Sequence, residues 1–289
     1  MFHVKHPATL TIPLADDTAL TLANACCGDV LPTHDQSRRL ATHPRFGQFY
    51  TLDGDAMAST ADEFIIHESL AHLAALNHPA PRRAIVLGGG DGGSARELLK
   101  HPSLAQITVA ELDPQVVATI RAEMPSLPAG AFEDPRVRLR IGDAATHLRK
   151  ARACGERFDL ILFDLTASDD RACAHLHDHA FLRDCAAALQ PGGLVHLQLG
   201  SPFYQPDAVR ALHRRVRDVF PHLTPALLHV PLYGGPWLLV RASLEPHPCD
   251  LETLAARLAE RRIDGLRYYN PALHIASAAL PNYLRDLLA

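Results

Sequence analysis

Five short apolar runs, separated by segments of helix length, constrain the fold of this chain more than any other feature. They lie between residues 83 and 200 and read RAIVLGGGDGG, ITVAELD, VRLRIGD, FDLILFD and GGLVHLQLG. Apolar strands that alternate with helices are typical of sheets whose strands run parallel and whose two faces are both covered. The sequence therefore predicts an α/β fold built on a mostly parallel, doubly wound sheet.

The segment before these runs follows a different period. From Ala8 to about Thr60, apolar and polar residues alternate between turn signals such as Asp53-Gly54, which predicts short antiparallel strands. The stretch 60–63 (TADE) then has the spacing of a capping box and opens a helical pattern that ends at 77–79 (NHP). We expect two domains, an N-terminal β domain at 1–60 and a catalytic domain at 61–289.

Composition and net charge limit the kinds of partner that we expect for this chain. The chain has 289 residues and a net charge of −4 with no run of Lys or Arg, so we expect no binding to nucleic acid and none to an anionic membrane surface. No stretch approaches the ~18–20 apolar residues of a membrane span, and MFHVKHPATL is not an apolar leader, so we expect a cytoplasmic protein. The six cysteines show no metal-ligand spacing, which predicts free thiols and no metal site.

The first two strand ends carry the pattern of a nucleoside site. Gly88, Gly90 and Asp91 belong to GGGDGG, which fits the GxGxxG spacing and allows a ligand to approach the backbone closely. Glu111 ends the next run, about 20 residues further on, where an acidic residue takes the ribose hydroxyls of a nucleotide. Either feature alone has a structural explanation, as a tight turn or a solvated strand end. Together they predict a bound nucleoside.

Further carboxylates indicate which nucleoside. Asp143 and Asp164 end the third and fourth runs, so they join Asp91 and Glu111 at one edge of the sheet. These charges oppose the pyrophosphate of a dinucleotide and favour a cationic ligand. An S-adenosyl sulfonium compound has that chemistry. Its adenine would lie near Asp143, its ribose at Glu111, and its sulfonium and ammonium near Asp91 and Asp164.

Motifs along almost the whole chain resemble one family. DEFIIHE, GGGDGG, ELD, GDA, FDLT, HLQ, VPLYGG and the C-terminal RYYNPALHIASAALP are similar to those of the polyamine aminopropyltransferases of the spermidine synthase type. The resemblance implies a small N-terminal antiparallel β domain on a Rossmann-like, methyltransferase-type domain, assembled as a homodimer or homotetramer. It also implies a small-molecule amine substrate and decarboxylated S-adenosylmethionine as co-substrate, without a permanently bound cofactor.

The same resemblance assigns roles to individual residues. It implies Asp164 as the general base, or as the acceptor that positions the attacking amine, which agrees with its place at a strand end. Donor contacts are implied for Gln36, His67, Asp91, Glu111 and Asp143. Acceptor contacts are implied for Gln198 and Tyr233, although both of these, and His67, are also compatible with plain packing roles.

This sequence departs from the family on the acceptor side. The family usually has a second aspartate three residues after the catalytic one, where this chain has Ala167, and a tyrosine just before the helix histidine, where it has Ile66. Met57 stands where a glutamine is common. Asp169 or Asp170 would restore the missing carboxylate if the loop is shifted; alternatively, this loop is simply solvated. The segment 166–179 is the candidate for a lid that closes on the substrate.

Three functions remain compatible with the sequence. The first is an aminopropyltransferase that converts putrescine, as the default acceptor, to spermidine and releases methylthioadenosine. The second is a methyltransferase that uses ordinary S-adenosylmethionine on the same fold. The third is a non-catalytic, nucleoside-binding relative, which the changes at Ile66 and Ala167 favour and the retained Asp164 opposes.

Overall fold

The computed structural model describes residues 9–13, 19–23, 38–52, 54–165 and 173–289, with side chains from residue 39 onward. The strands are β1 (Thr9–Pro13), β2 (Ala19–Ala23), β3 (Arg38–His43), β4 (Gly47–Leu52), β5 (Asp55–Ser59), β6 (Arg83–Gly88), β7 (Gln106–Glu111), β8 (Val137–Ile141), β9 (Phe158–Asp164), β10 (Leu189–Gly200), β11 (His222–Val230) and β12 (Gly235–Ser243). The α-helices are α1 (Glu63–Ala75), α2 (Gly93–Leu99), α3 (Pro114–Glu123), α4 (Ala144–Ala153), α5 (His179–Ala188), α6 (Pro206–Arg217), α7 (Leu251–Glu260), α8 (Pro271–Ala276) and α9 (Asn282–Leu288).

Seven strands form the central sheet, in the order β11, β12, β10, β9, β6, β7, β8. The strands from β6 to β10 pair in parallel, whereas β12 pairs antiparallel with both β10 and β11. The α/β class and the parallel series are thus confirmed, and β11 and β12 are additions that the apolar runs did not predict. Strand order reverses between β6 and β9, where Gly88 is in register with Asp164. Ligands bind at such a point in open sheets, outside the carboxyl ends of the strands.

Helices cover both faces of this sheet. On one face, Leu148 of α4, Phe181 of α5, Leu212 of α6 and Leu284 of α9 belong to one core of fully buried side chains. On the other face, residues of α1 and α2 pack with β6, β7 and β9, Leu70 being fully buried there. This packing explains why β6, β7 and β9 are apolar almost throughout, whereas β8 at the edge of the sheet alternates and is largely exposed.

The N-terminal strands form separate antiparallel sheets, as the alternating pattern predicts. One pairs β1 with β2, and the other pairs β4 with β3 and with β5. The second sheet is joined to the central domain by a small core in which Tyr50 and Ala58 pack with Val116 and Ile120 of α3. None of the helices in the described part of the chain has the length and apolar character that crossing a membrane requires.

The predicted capping box at the start of α1 does not form. The residue that caps the helix is Asp62, and its side chain makes no capping hydrogen bond. Its carboxylate instead accepts from the hydroxyl of Ser59 at 2.6 Å and from the backbone N–H of Leu232 at 2.8 Å. The hydroxyl of Thr60 accepts from the backbone N–H of Gln48 at 3.1 Å. The side chain of Thr60, which the sequence pattern predicts as the helix cap, and that of Asp62 are therefore bonded to other parts of the fold.

Candidate active site

The glycine loop between β6 and α2 lies against the end of β9. The N–H of Gly89 donates to the carbonyl oxygen of Asp164 at 2.9 Å, and a Cβ at Gly88 would collide with that carbonyl. Gly88 and Gly89 both have positive φ, 80° and 75°. A Cβ atom at Gly90 would lie only 2.6 Å from Oε2 of Glu111. The glycines are therefore required for the close approach of the backbone of Asp164 and the side chain of Glu111 to the loop.

Asp91 lies in this loop and is held as a carboxylate. It is 5% exposed, and its Oδ1 accepts from the N–H of Gly93 at 2.9 Å. Its Oδ2 accepts from the hydroxyl of Tyr50 at 3.2 Å and lies 3.3 Å from Nε2 of His67. Burial alone would raise the pKa of Asp91, but His67 and these hydrogen bonds outweigh burial and lower the pKa to about 2.

His67 joins Asp91 to a second buried carboxylate. Its Nδ1 lies 2.7 Å from Oε2 of Glu63, one turn earlier on α1, and Glu63 is paired with Arg96 at 2.8 Å. Burial disfavours a charged imidazole, yet Asp91, Glu63 and Asp164 together raise the pKa of His67 well above its ordinary value. His67 is therefore a buried cation between two anions rather than a neutral core histidine.

Asp164 is the remaining carboxylate at this point of the sheet. Its Oδ2 is buried and has no hydrogen-bond partner among the described residues, although the hydroxyl of Ser94 lies near enough to lower its pKa. Burial and the charge of Asp91 have the larger effect and raise the pKa of Asp164 to about 6. An unsatisfied buried carboxylate with a raised pKa is suited to accept a proton from a ligand.

Atoms of His67, Asp91 and Asp164 lie within 4.8 Å of one another, close enough to be considered as metal ligands. Both ring nitrogens of His67 already face carboxylates, and its pKa is raised, so a metal would have to displace a favourably placed proton. The cluster is better suited to an organic ammonium or sulfonium group, which makes hydrogen bonds or charge contacts without deprotonating the histidine.

Glu111 lies beside the glycine loop at the end of β7. Its Oε2 accepts from the N–H of Gly90 at 3.0 Å and its Oε1 from the N–H of Asp113 at 2.9 Å. Burial raises the pKa of Glu111 to about 7. Two apolar side chains close to it are unusually exposed, Leu112 at 46% and Ile141 at 44%. Exposed apolar groups at the ends of β7 and β8 are suited to contact a flat ring such as a purine.

Asp143 has a clear structural role that the sequence did not indicate. It is the N-cap of α4, and its Oδ2 accepts from the N–H and the hydroxyl of Thr146 at 2.9 and 2.7 Å. Its Oδ1 accepts from Nε2 of His175 at 2.8 Å. Although partial burial opposes ionisation, these hydrogen bonds lower the pKa of Asp143 to about 2. Asp143 thus places a charged carboxylate at the edge of the sheet.

The predicted acceptor residues lie on an aromatic wall. The hydroxyl of Tyr233 donates to the carbonyl oxygen of Met57 at 2.8 Å, and its ring centroid lies 4.7 Å from that of Trp237. Trp237 in turn donates to Oε1 of Gln198 at 2.8 Å. The pKa of Tyr233 is raised by burial and then by the charges of Asp164 and Asp91, which places this wall near the acidic cluster. Ile66 is 2% exposed and belongs to the apolar core against which Tyr233 and Trp237 pack.

The predicted site residues fall into three groups. The structure brings together His67, Asp91, Asp164 and the glycine loop, with Glu111 at its side. It places Asp143 on the next strand end, and Tyr233 with Gln198 on the aromatic wall. Gln36, Asp169 and Asp170 lie outside the described residues, as does the first half of the predicted lid, whose second half, 173–179, is described.

Sequence reasoning missed several residues of this site. Tyr50, Ser94 and Trp237 contribute polar groups from β4, α2 and β12, and Leu112 and Ile141 contribute apolar surface. For Leu112 and Ile141 a signal was present, since each is an apolar residue beside a polar strand end. Tyr50 follows another buried aromatic residue, Phe49, in β4, so nothing in the pattern indicates that its hydroxyl reaches the glycine loop.

The C-terminal RYYNP motif is bound to α1. The carboxylate of Glu68, next to His67, accepts from three successive backbone N–H groups, those of Arg267, Tyr268 and Tyr269, each at 2.8 Å. A buried carboxylate with several backbone donors is a stable arrangement, because each donor offsets part of the desolvation of the charge. The RYYNP segment is in this way held against the helix that positions His67.

Comparison of the sequence with known proteins finds one family. A family model described as the spermine/spermidine synthase domain matches residues 63–249. A polyamine aminopropyltransferase of Nitrosomonas europaea is 39% identical over 248 residues, which is 85% of this chain and 75% of that protein. One from Sodalis glossinidius is 36% identical over 260 residues, 89% of each chain.

Solved structures agree with these relatives. A spermidine synthase in complex with the transition-state analogue AdoDATO superposes with a TM-score of 0.82 at 32% identity, over 89% of this chain and 86% of that one. The spermidine synthase of Thermotoga maritima gives a TM-score of 0.80 at 32% identity, over 89% and 85%.

Proposed function

This chain belongs to the spermine/spermidine synthase family and is a transferase of the aminopropyltransferase type; we propose that its aminopropyl donor is decarboxylated S-adenosylmethionine. The observation that carries this proposal is the acidic cluster around His67, in which Asp91 is fully ionised and the Oδ2 of Asp164 has no partner among the described residues. Ordinary S-adenosylmethionine would bring a carboxylate into this cluster, whereas the decarboxylated form brings only positive charge. Putrescine is the default acceptor and spermidine the product.

The donor would bind along the strand ends of β6, β7 and β8. Glu111 would accept from the ribose hydroxyls, since each of its oxygens accepts one backbone hydrogen bond and keeps further acceptor capacity. Leu112 and Ile141 would hold the adenine, with Asp143 near its amino group. Asp91 would bind the ammonium of the aminopropyl chain. Gln36, outside the described residues, is proposed as a further donor contact on the family resemblance alone.

The reaction would be a single displacement. The neutral amine nitrogen attacks the aminopropyl carbon bonded to the sulfonium, a C–N bond forms, and the C–S bond breaks with its electron pair going to sulfur. Methylthioadenosine leaves as a neutral thioether, and the proton lost from nitrogen goes to Asp164. A free amine has a pKa near ~10, so a carboxylate with a pKa raised to about 6 is a better base for it than an ordinary aspartate.

The acidic cluster also lowers the barrier electrostatically. Donor and acceptor both approach as cations or potential cations, and their repulsion in a buried site would be several kcal/mol in the absence of counter-charges, at roughly 332/(εr) with ε near ~20. Asp91 and Asp164 supply those counter-charges, while His67 keeps the pair of carboxylates from repelling each other. The site is therefore arranged before substrates bind.

Gln198 and Tyr233 are proposed to contact the acceptor, together with Asp169 or Asp170 from the loop outside the described residues. We also propose the division into domains at 1–60 and 61–289, a homodimer or homotetramer, and a cytoplasmic location; the family resemblance supports the oligomer. Light scattering coupled to gel filtration would measure the oligomer.

The experiment for the reaction is mass spectrometry of the products formed from decarboxylated S-adenosylmethionine and single amines: putrescine, cadaverine, diaminopropane, agmatine or spermidine. We expect one amine to gain an aminopropyl group as methylthioadenosine accumulates in equal amount. Absence of an aminopropylated product with all five amines would contradict the proposal.

A further inference from the structure

Tyr50 has a hydroxyl in the acidic cluster that no motif of the sequence assigns. Its ring lies on β4 and packs with Ala58, Val116 and Ile120, and the whole residue is 8% exposed. The hydroxyl extends past this small core and donates to Oδ2 of Asp91 at 3.2 Å. The N-terminal sheet therefore contributes a polar group to the site at the glycine loop.

The hydrogen-bonding capacity of this hydroxyl is only partly used. Its one proton is committed to Asp91, and the phenolic oxygen retains lone pairs that can accept. Burial, followed by the charges of Asp91 and Asp164, raises the pKa of Tyr50 well above its ordinary value, so the phenol stays protonated and neutral. Tyr50 is thus a fixed donor to Asp91 whose oxygen can still accept a hydrogen bond.

A primary ammonium has three N–H donors, and the cluster offers three kinds of oxygen to receive them. These are the ionised carboxylate of Asp91, the phenolic oxygen of Tyr50 and the Oδ2 of Asp164, which has no partner among the described residues. Position 66 contributes no hydroxyl in this chain, because isoleucine has none and packs in an apolar core with Leu73 and Leu228. The hydroxyl that contacts Asp91 comes instead from Tyr50 on β4.

We propose that Tyr50 binds the ammonium of the donor's aminopropyl chain, accepting one of its hydrogen bonds while holding Asp91 in place. This inference rests on the proposed function, because it presupposes a donor with such a chain. It adds a donor-binding residue that lies outside the glycine loop and outside every motif by which the family resemblance is carried.

A pair of ligands tests the inference. Decarboxylated S-adenosylmethionine has the aminopropyl ammonium, and methylthioadenosine is the same nucleoside without it. The variant Tyr50→Phe removes one oxygen and keeps the ring that packs on α3. We expect calorimetric titration to show binding of the decarboxylated donor weakened about tenfold to a hundredfold, as for a hydrogen bond to a charged group. Binding of methylthioadenosine should stay within about twofold of the wild type.

Tyr283→Phe is the matched control, since it deletes the same atom from a residue that is 52% exposed. It should leave both affinities unchanged. If Tyr50→Phe weakens the two ligands equally, or neither of them, the hydroxyl has no contact with the aminopropyl chain and the inference is wrong. If the wild-type protein binds methylthioadenosine but not the decarboxylated donor, the proposed function itself fails, and the inference fails with it.

Discussion

The imidazole of His67 lies 3.3 Å from the carboxylate of Asp91, and both side chains are almost completely buried. Two buried charges at this distance stabilise each other only when both are present, so removal of one leaves the other unpaired. The charge of His67 also lowers the pKa of Asp164, whereas that of Asp91 raises it. This ion pair therefore affects the charge state of the proposed catalytic base. The first prediction follows from that dependence.

Replacing His67 with glutamine should move the acidic limb of the pH profile of kcat/KM to higher pH. The substitution removes a cation that lowers the pKa of both Asp91 and Asp164. The pKa of Asp164 therefore rises, and a higher pH is needed to ionise the base. Initial rates across a pH series measure the shift. His222→Gln is the control, because His222 is exposed and begins β11, the edge strand of the central sheet.

The same variant should lose stability in a defined pH window. The pKa of His67 is raised on folding. Its contribution to the free energy of unfolding is therefore full below the unfolded pKa of about 6.5 and disappears as pH rises through the folded pKa. Urea unfolding of wild type and His67→Gln should therefore differ most at acidic to neutral pH, by about 3–5 kcal/mol for a broken buried pair. A difference that grows above neutral pH would contradict this account.

Asp164→Asn should separate stability from activity. The folded pKa of Asp164 is raised to about 6, so at higher pH its ionised form costs stability, and that cost disappears below the unfolded pKa. We expect the variant to be more stable than wild type at pH 8 by about 1–3 kcal/mol and to bind donor. Its kcat should fall at least about a hundredfold, because the proton acceptor is gone. Unchanged kcat would exclude Asp164 as the base.

Glu111 should make nucleoside binding depend on pH. Burial raises its pKa to about 7, and the protonated form has lost acceptor capacity for the ribose hydroxyls. Methylthioadenosine carries no charge in this range, so its affinity should fall as pH drops from 8 to 6. In Glu111→Gln the affinity should be about tenfold lower at pH 8 and independent of pH. The pH dependence persisting in this variant would assign it to another group.

Ser94→Ala tests the smaller influence on Asp164. The hydroxyl of Ser94 is fully buried and lowers the pKa of Asp164, so its removal should move the acidic limb of the activity profile upward without affecting methylthioadenosine binding. The shift should be smaller than that of His67→Gln, since a neutral hydroxyl stabilises a carboxylate less than a cation does. A downward shift would contradict the placement of this hydroxyl.

The sequence could predict the carboxylates of the site because parallel strands bring their ends to one edge. Asp91, Glu111, Asp143 and Asp164 follow successive strands, so their proximity requires no knowledge of distant contacts. The structure nevertheless gives Asp143 a local function as the cap of α4, which its position after a strand did not reveal.

Contacts between remote segments could not be predicted in this way. The hydroxyl of Tyr50 meets Asp91 across 41 residues, and the carboxylate of Asp62 meets the N–H of Leu232 across 170. Residue spacing contains no information on such pairs, because they depend on how the small sheet packs on α3. The same limit explains why Thr60 looks like a helix cap in the sequence but bonds to Gln48 in the fold.

The measurement that tests the central claim most directly offers the protein both donors at once. Equal concentrations of decarboxylated and ordinary S-adenosylmethionine would be incubated with the amine acceptor, and the nucleoside products separated by mass. We predict methylthioadenosine in large excess, because the carboxylates of Asp91 and Asp164 favour the donor that has lost its own carboxylate. S-adenosylhomocysteine as the main product would contradict the account and identify a methyltransferase.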